Sequence, residues 1–83
     1  MTRVRVKICG ITREEDAAHA VRLGASAVGF VFWPRSPRVV TAEVARAIAQ
    51  SLPVLVARVG VFVDAPVGDI LRVVRQVGLD VVQ

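Results

Sequence analysis

The chain has 83 residues, of which 54% are hydrophobic, and its mean hydropathy is +0.58. A small domain exposes much of its surface, so this composition predicts a segment buried on two sides, as in a parallel sheet covered by helices, with part of the cover missing. No apolar run is long enough to cross a bilayer, and the first residues lack a signal-peptide pattern. With a single cysteine, Cys9, these features favour a cytoplasmic location and no membrane partner.

The formal net charge is +4, from 11 basic and 7 acidic residues that are dispersed along the chain. A mild positive charge suits a small anionic metabolite. It would also suit nucleic acid, but the chain has neither a set of stacking aromatic residues nor a basic helix, so we expect no nucleic-acid partner. The sequence shows no metal-ligand cluster and no Ser-His-Asp set, and the single histidine, His19, is expected on a helix surface.

The first strand and helix are predicted from the opening residues. Val4–Ile8 is rich in β-formers. Thr12 is a candidate N-cap, and Glu15 three residues later would complete a capping box. A helix is therefore predicted over Arg13–Leu23, with Gly24 as its end.

A second unit follows at similar spacing. Ala27–Phe32 predicts a strand, and residues 33–38 predict an irregular loop because two prolines interrupt them. Thr41 is the next candidate N-cap, for a helix that reaches Leu52 and is ended by Pro53.

The third unit repeats the pattern, and a further strand begins after it. Val54–Val63 predicts a strand, residues 64–66 a turn, and Val67–Gln76 a helix closed by Gly78. Leu79–Gln83 predicts the fourth strand.

Alternating strands and helices predict right-handed βαβ units and a parallel sheet. The absence of a Gly-x-Gly-x-x-Gly turn after the first strand argues against a dinucleotide-binding fold. We therefore predict an α/β fold in which residues 1–83 form about three and a half units of a (β/α)8 barrel, with strands 1–4 and helices 1–3. Because a complete barrel needs roughly 200 to 250 residues, the remainder is expected to be absent from this chain.

In such barrels the active site lies at the carboxyl ends of the strands, which selects Cys9, the loop 33–38, Asp64 and Gln83. Side chains alternate across a strand, so Arg5, Lys7 and Cys9 should point into the barrel while the apolar residues between them face the helices. A thiol near cations ionises more readily and can act as a general base. The alternative is that Cys9 is a small buried apolar residue.

Two arginines have special positions. Arg38 follows the stiff loop and precedes a helix, where its guanidinium could bind a carboxylate with two parallel hydrogen bonds, or could simply be solvated. Arg58 interrupts an apolar strand, and a buried arginine needs a partner, so it is expected low in the barrel, paired with an acid outside this chain. Asp64 is expected to be a turn residue, and Trp33 could stack on an aromatic substrate or cover the barrel opening.

Four motifs carry a resemblance to a known family: Val6–Thr12, Gly29–Arg38, Arg58–Val63 and Asp80–Gln83. Together and in this order they resemble the opening part of phosphoribosylanthranilate isomerase, an enzyme of tryptophan biosynthesis. The resemblance covers the whole chain.

The resemblance implies a (β/α)8 barrel that converts N-(5-phosphoribosyl)anthranilate to 1-(o-carboxyphenylamino)-1-deoxyribulose 5-phosphate by an Amadori rearrangement, without a cofactor. It implies that Cys9 is the general base, that Arg38 holds the anthranilate carboxylate, and that Gln83 contacts the substrate. The general acid and the phosphate site are expected beyond residue 83. The isolated chain is therefore expected to have little or no activity, and neither Asp64 nor Asp80 is assigned as the acid.

Three rival interpretations remain. The chain could be a non-catalytic half-barrel that self-associates through its open strand edges. It could be a related phosphate-binding barrel such as indole-glycerol-phosphate synthase, although the Cys9-Gly10 turn speaks against it. It could also be a basic nucleic-acid binder, whose affinity would depend strongly on salt.

Overall fold

The computed structural model describes residues 4–83 and confirms the predicted alternation of strands and helices. None of the described helices has the length and apolar character needed to cross a membrane. The elements are β1 (Lys7–Ile8), α1 (Glu14–Arg22), β2 (Ala27–Val31), α2 (Ala42–Ser51), β3 (Ala57–Val61), α3 (Val67–Val77) and β4 (Val81–Val82).

The described strands form one sheet of four, in the order β1-β2-β3-β4, and every neighbouring pair is parallel. Lys7 pairs with Ala27, Ala27 pairs with Ala57, and Val59 pairs with Val81. This sequential order, with one helix between successive strands, is the order of a βα barrel and confirms the predicted fold class. All carboxyl ends of the strands consequently lie at one edge of the sheet.

The core lies between the sheet and its helices. Val28 and Phe30 of β2 are fully buried. They pack in one cluster with small and branched residues of the helices, namely Ala17, Ala45, Ile48, Ala49 and Val77. We call the opposite side of the sheet the inner face. Val31 and Val59 are buried there, outside that cluster.

The predicted capping box of α1 is wrong. The N-cap is Arg13, not Thr12, and no side chain caps the helix there. Arg13 instead donates two hydrogen bonds to Asp16, at 2.9 and 3.0 Å, and these bonds, with the charges of Asp16 and Glu15, raise the pKa of Arg13. Three acidic residues in the first turn provide the favourable interaction with the helix dipole that a cap would otherwise supply.

All four strands are shorter than the sequence pattern predicted, with β2 ending one residue early and β4 limited to Val81–Val82. β1 contains only Lys7–Ile8, although Val4–Ile8 was predicted. β3 begins at Ala57, because the chain turns after Pro53, where the amide of Val56 donates to the Pro53 carbonyl at 3.1 Å. Val54 and Leu55 are 91% and 93% exposed in this turn, so an apolar run was mistaken for strand.

The prediction that Arg58 pairs with an acid outside this chain is wrong, because its guanidinium binds backbone carbonyls within the chain. Its guanidinium donates five hydrogen bonds of 2.6 to 3.3 Å to four backbone carbonyls around the carboxyl end of α2. The acceptors are the carbonyls of Ala49, Leu52, Pro53 and Val56. A cation at a helix carboxyl end is favoured by the helix dipole, and the guanidinium supplies charged donors to these carbonyls.

Thr41 and Thr12 offer a matched test of helix capping. Thr41 Oγ1 accepts from the Val44 amide at 3.2 Å, as predicted, whereas Thr12 does not cap α1. We expect Thr41→Ala to lower the free energy of unfolding by about 1 kcal/mol and Thr12→Ala to change it by less than about 0.5 kcal/mol. Urea denaturation followed by circular dichroism measures both, and equal losses would contradict the assignment.

Arg58 should contribute far more to the free energy of unfolding than an arginine in an exposed ion pair does. We expect Arg58→Ala to lower the free energy of unfolding by on the order of 3 kcal/mol, because several carbonyls lose a charged donor. Arg58→Lys should recover only part of this, since an ammonium lacks the guanidinium fork. Arg72→Ala is the control: it removes an exposed pair with Asp69 and should cost less than about 1 kcal/mol. Similar urea midpoints for Arg58→Ala and Arg72→Ala would refute the capping role.

Candidate active site

The candidate site lies where β1 and β2 end. Cys9 follows β1 directly and its thiol is exposed. Gly29 of β2 lies beside it, and a Cβ placed on Gly29 would stand 3.2 Å from Cys9 Sγ. The absence of a side chain at Gly29 thus leaves room for the thiol on the inner face.

The backbone after Cys9 turns sharply and is held by β2. The amides of Gly10 and Ile11 both donate to the Gly29 carbonyl, each at 3.1 Å. Gly10 has a φ of +80°, a conformation that costs an L-residue energy because of its Cβ. This shared carbonyl fixes the direction in which the chain leaves β1.

The loop 33–38 is a pair of overlapping turns. The Ser36 amide donates to the Trp33 carbonyl at 3.0 Å, and Ser36 Oγ accepts from the Arg38 amide at 3.1 Å. The Val40 amide then returns to the carbonyl of Val31, at 3.0 Å, so that the loop is closed against the end of β2. Ser36 thus bonds within the loop, and the backbone of Arg38 is held in place.

The side chain of Arg38 lies over Gly10. A Cβ on Gly10 would stand 2.7 Å from Arg38 Cδ and 2.9 Å from Nε. Within residues 4–83, the Arg38 guanidinium forms neither a hydrogen bond nor an ion pair, in contrast to Arg13 and Arg58. The structure therefore brings Arg38 against the residue that follows Cys9, with its donors available.

Gln83 meets Lys7 on the inner face. The backbone amide of Gln83 donates to the Gly60 carbonyl at 2.8 Å, so Gln83 continues the pairing of β4 with β3. The side-chain oxygen of Gln83, Oε1, accepts a hydrogen bond from Lys7 Nζ. Sequence alternation placed Lys7 on the inner face but did not reveal this partner. The contact joins the outer two strands of the sheet.

The two remaining acidic residues considered from the sequence, Asp64 and Asp80, lie at opposite ends of the sheet. Asp64 is in the turn after β3, with a φ of +51° that aspartate tolerates better than most residues. Asp80 Oδ2 accepts from the backbone amide of Arg58 at 2.8 Å, at the beginning of β3 and hence at the opposite end of the sheet. Residues 4–83 contain no group of three His, Cys, Asp or Glu residues that could hold a metal ion.

One feature near this edge was missed by sequence reasoning. Phe32 and Phe62 stack with their ring centroids 5.2 Å apart, beyond the ends of β2 and β3. They line an apolar cavity of about 330 Å³ together with Pro34, Pro66 and Arg72. The available signal was the similarity of the segments Val28–Phe32 and Val59–Val63, each of which carries a phenylalanine at or next to its last position.

The arrangement combines an exposed thiol with an available guanidinium at the carboxyl edge of a parallel sheet. Such a pair can hold an anionic group and remove a proton from a carbon beside it. The fold and the position of the site define a βα-barrel protein with its functional groups at the carboxyl ends of the strands.

The chain belongs to the N-(5'-phosphoribosyl)anthranilate isomerase family, whose model matches residues 6–83. Curated relatives of that name include one from Rubrobacter xylanophilus, 57% identical over 79 residues, and one from Pseudomonas fluorescens, 51% identical over 83 residues. These matches cover 95% and 100% of the chain but 38% and 41% of the relatives. The chain thus spans about two fifths of the length of these relatives.

Solved structures agree with this assignment. The phosphoribosyl anthranilate isomerase from Thermotoga maritima matches 98% of the chain with a TM-score of 0.96 and 54% identity, over 40% of its own chain. A phosphoribosyl anthranilate isomerase in complex with reduced 1-(o-carboxyphenylamino)-1-deoxyribulose 5-phosphate matches with the same TM-score and identity, over 42% of its chain.

Proposed function

We propose that this chain supplies the first half of the active site of an isomerase that converts N-(5-phosphoribosyl)anthranilate to 1-(o-carboxyphenylamino)-1-deoxyribulose 5-phosphate, in tryptophan biosynthesis and without a cofactor. The observation that carries the proposal is the available guanidinium of Arg38, held over Gly10 immediately beside Cys9. Family membership supports this choice of substrate, because a related isomerase was solved in complex with reduced 1-(o-carboxyphenylamino)-1-deoxyribulose 5-phosphate.

Arg38 anchors the substrate in this proposal. Its guanidinium is exposed at the carboxyl edge of the sheet and can bind the anthranilate carboxylate through two parallel hydrogen bonds. Fixing the aromatic ring at that point orients the attached sugar relative to Cys9. Gln83, on the inner face with Lys7, is positioned to exchange its contact with Lys7 for one with a substrate hydroxyl.

Cys9 is the general base. An acid supplied by other residues of the complete barrel protonates the ring oxygen, and the carbon–oxygen bond breaks to open the sugar as an iminium. The Cys9 thiolate then removes the proton from the adjacent sugar carbon, which gives an enolamine that tautomerises to the ketone product. The thiol of Cys9 is exposed, and Gly29 beside it has no side chain that would crowd Sγ.

A hybrid barrel tests the proposal directly. It consists of residues 1–83 of this chain followed by the residues of the Thermotoga maritima isomerase that lie beyond the matched region, which is justified by the TM-score of 0.96. We expect the isolated chain to have little or no turnover and the hybrid barrel to catalyse the rearrangement. A hybrid barrel that shows native circular dichroism and cooperative unfolding but no turnover would refute the proposed function.

Variants of the hybrid barrel should separate the two roles. Cys9→Ser should lower kcat by about 10²- to 10⁴-fold, the usual contribution of a general base. Arg38→Met should raise KM by about 10- to 100-fold, since a hydrogen bond to a charged group contributes roughly 1.5 to 3 kcal/mol. Arg35→Met, in the same loop, is the matched control and should leave both constants within about twofold. Steady-state kinetics measure all three, and equal effects of Arg35→Met and Arg38→Met would contradict the anchor role.

Self-association is a second candidate property of the isolated chain. The outer strands and the residues beside them carry half-exposed apolar side chains, at Val6 and Ile8 on one side and Val81 and Val82 on the other. Exposed strand edges of this kind pair readily with other chains. Light scattering after size exclusion should therefore give a mass above 8.9 kDa for the isolated chain, and Val82→Lys should lower it. A monomeric isolated chain would remove this candidate.

A further inference from the structure

We propose that Gly10 is a positioning residue for substrate recognition, because its missing side chain forms the seat on which the carboxylate-binding guanidinium of Arg38 rests. The inference depends on the proposed function, in which Arg38 holds the anthranilate carboxylate. It adds a residue, a specific contact and a distinct kinetic consequence.

A side chain at position 10 would displace the end of the Arg38 side chain from its observed place. A Cβ at position 10 would lie 2.7 Å from Arg38 Cδ, 2.9 Å from Nε and 3.0 Å from Cζ. Separations below 3.0 Å are not found for real Cβ atoms, so the guanidinium would have to move. Since three successive atoms of the arginine are involved, the displacement would carry the whole guanidinium plane away from its position.

Arg38 has little else to hold it. Its backbone is fixed by Ser36 and by the return of the chain to Val31, but its guanidinium has no partner among residues 4–83. A long side chain without partners samples many rotamers, and binding it to a ligand then costs conformational entropy. The flat surface of the Gly10 peptide reduces that freedom, because the arginine packs along it.

Gly29 provides an informative contrast within the same site. A Cβ on Gly29 would approach Cys9 Sγ at 3.2 Å, and the nearest atoms of Gly29 belong to Cys9, not to Arg38. Gly29→Ala should therefore act on the thiol, and Gly10→Ala on the guanidinium. The two adjacent glycines should consequently separate into a kcat effect and a KM effect.

The experiment compares two substrates in the hybrid barrel. Gly10→Ala should raise KM for N-(5-phosphoribosyl)anthranilate by about tenfold or more, through loss of charged hydrogen bonds. The second substrate is N-(5-phosphoribosyl)aniline, which lacks the carboxylate, and its KM should change by less than about twofold. The value of kcat should stay within about threefold for both substrates. A structural disturbance of the site would move both substrates together.

The backbone cost of Gly10→Ala has its own control. Gly78 is the C-cap of α3, and its φ of +83° is close to the +80° of Gly10. A Cβ at Gly78 would meet nothing within 4 Å. Gly78→Ala therefore carries the same kind of strain without the contact. It should lower the unfolding midpoint comparably to Gly10→Ala but leave KM unchanged for both substrates.

A double-mutant cycle isolates the contact itself. In an Arg38→Ala background, Gly10→Ala has no guanidinium to displace, so KM should change by less than about twofold, and the two substitutions should be strongly non-additive. The displaced atoms belong to the end of a flexible side chain, so the contact itself should not prevent folding. A cycle in which the two substitutions raise KM additively would overturn the inference.

The outcomes also distinguish this inference from the proposed function. A folded parent hybrid barrel without turnover of the anthranilate substrate refutes the function. A parent that turns over, combined with a Gly10→Ala variant that affects both substrates equally or lowers only kcat, leaves the function standing and overturns the role of Gly10.

Discussion

The candidate site depends on two hydrogen bonds that the backbone carbonyl of Gly29 accepts. This carbonyl accepts from the amides of both Gly10 and Ile11, and it thereby fixes the chain that leaves β1 against the end of β2. These hydrogen bonds hold the backbone that connects Cys9 to Gly10, the residue against which Arg38 packs. Because β2 is the most deeply buried strand, with Val28 and Phe30 at zero exposure, the site rests on the most tightly packed strand of the sheet.

The opposite end of the sheet is held by a different residue. The guanidinium of Arg58 binds the carboxyl end of α2, while its backbone amide and carbonyl pair with Asp80 ahead of β4, each at 2.8 Å. One residue thus joins β3 to the helix before it and to the strand after it. Barrels of this type commonly place stability at the amino ends of their strands and chemistry at the carboxyl ends, and this chain divides its two special arginines in the same way.

Much of the architecture could be predicted from the sequence because its punctuation is local. Thr41, Pro53 and Gly78 act on neighbouring backbone, and all three mark helix boundaries close to those observed. The errors occurred where a local pattern competed with a distant partner. Residues 54–56 look like strand but form a turn whose carbonyl at Val56 serves Arg58, and the capping pattern at Thr12 gave way to the pairing of Arg13 with Asp16.

The sequence could place the candidate residues at one edge of the sheet, but it could not predict their contacts. The rule that barrel chemistry lies at strand carboxyl ends selected Cys9, the loop of Arg38, and Gln83 without knowledge of any contact. The partners of these residues could not be derived, because Gln83 meets Lys7 from 76 positions away and Arg38 meets Gly10 across the β1–β2 boundary. Periodicity records which face a residue occupies, whereas long-range partners depend on the register of the sheet.

Glycine has two separate structural roles in this site. Gly29 adopts ordinary strand geometry, so its value lies wholly in the volume that it leaves beside the thiol. Gly10 is constrained twice, by a positive φ and by the arginine above it. The peptide of Gly10 therefore lies between Cys9 and the guanidinium of Arg38. In the proposed function, it links the residue that transfers the proton to the residue that binds the carboxylate.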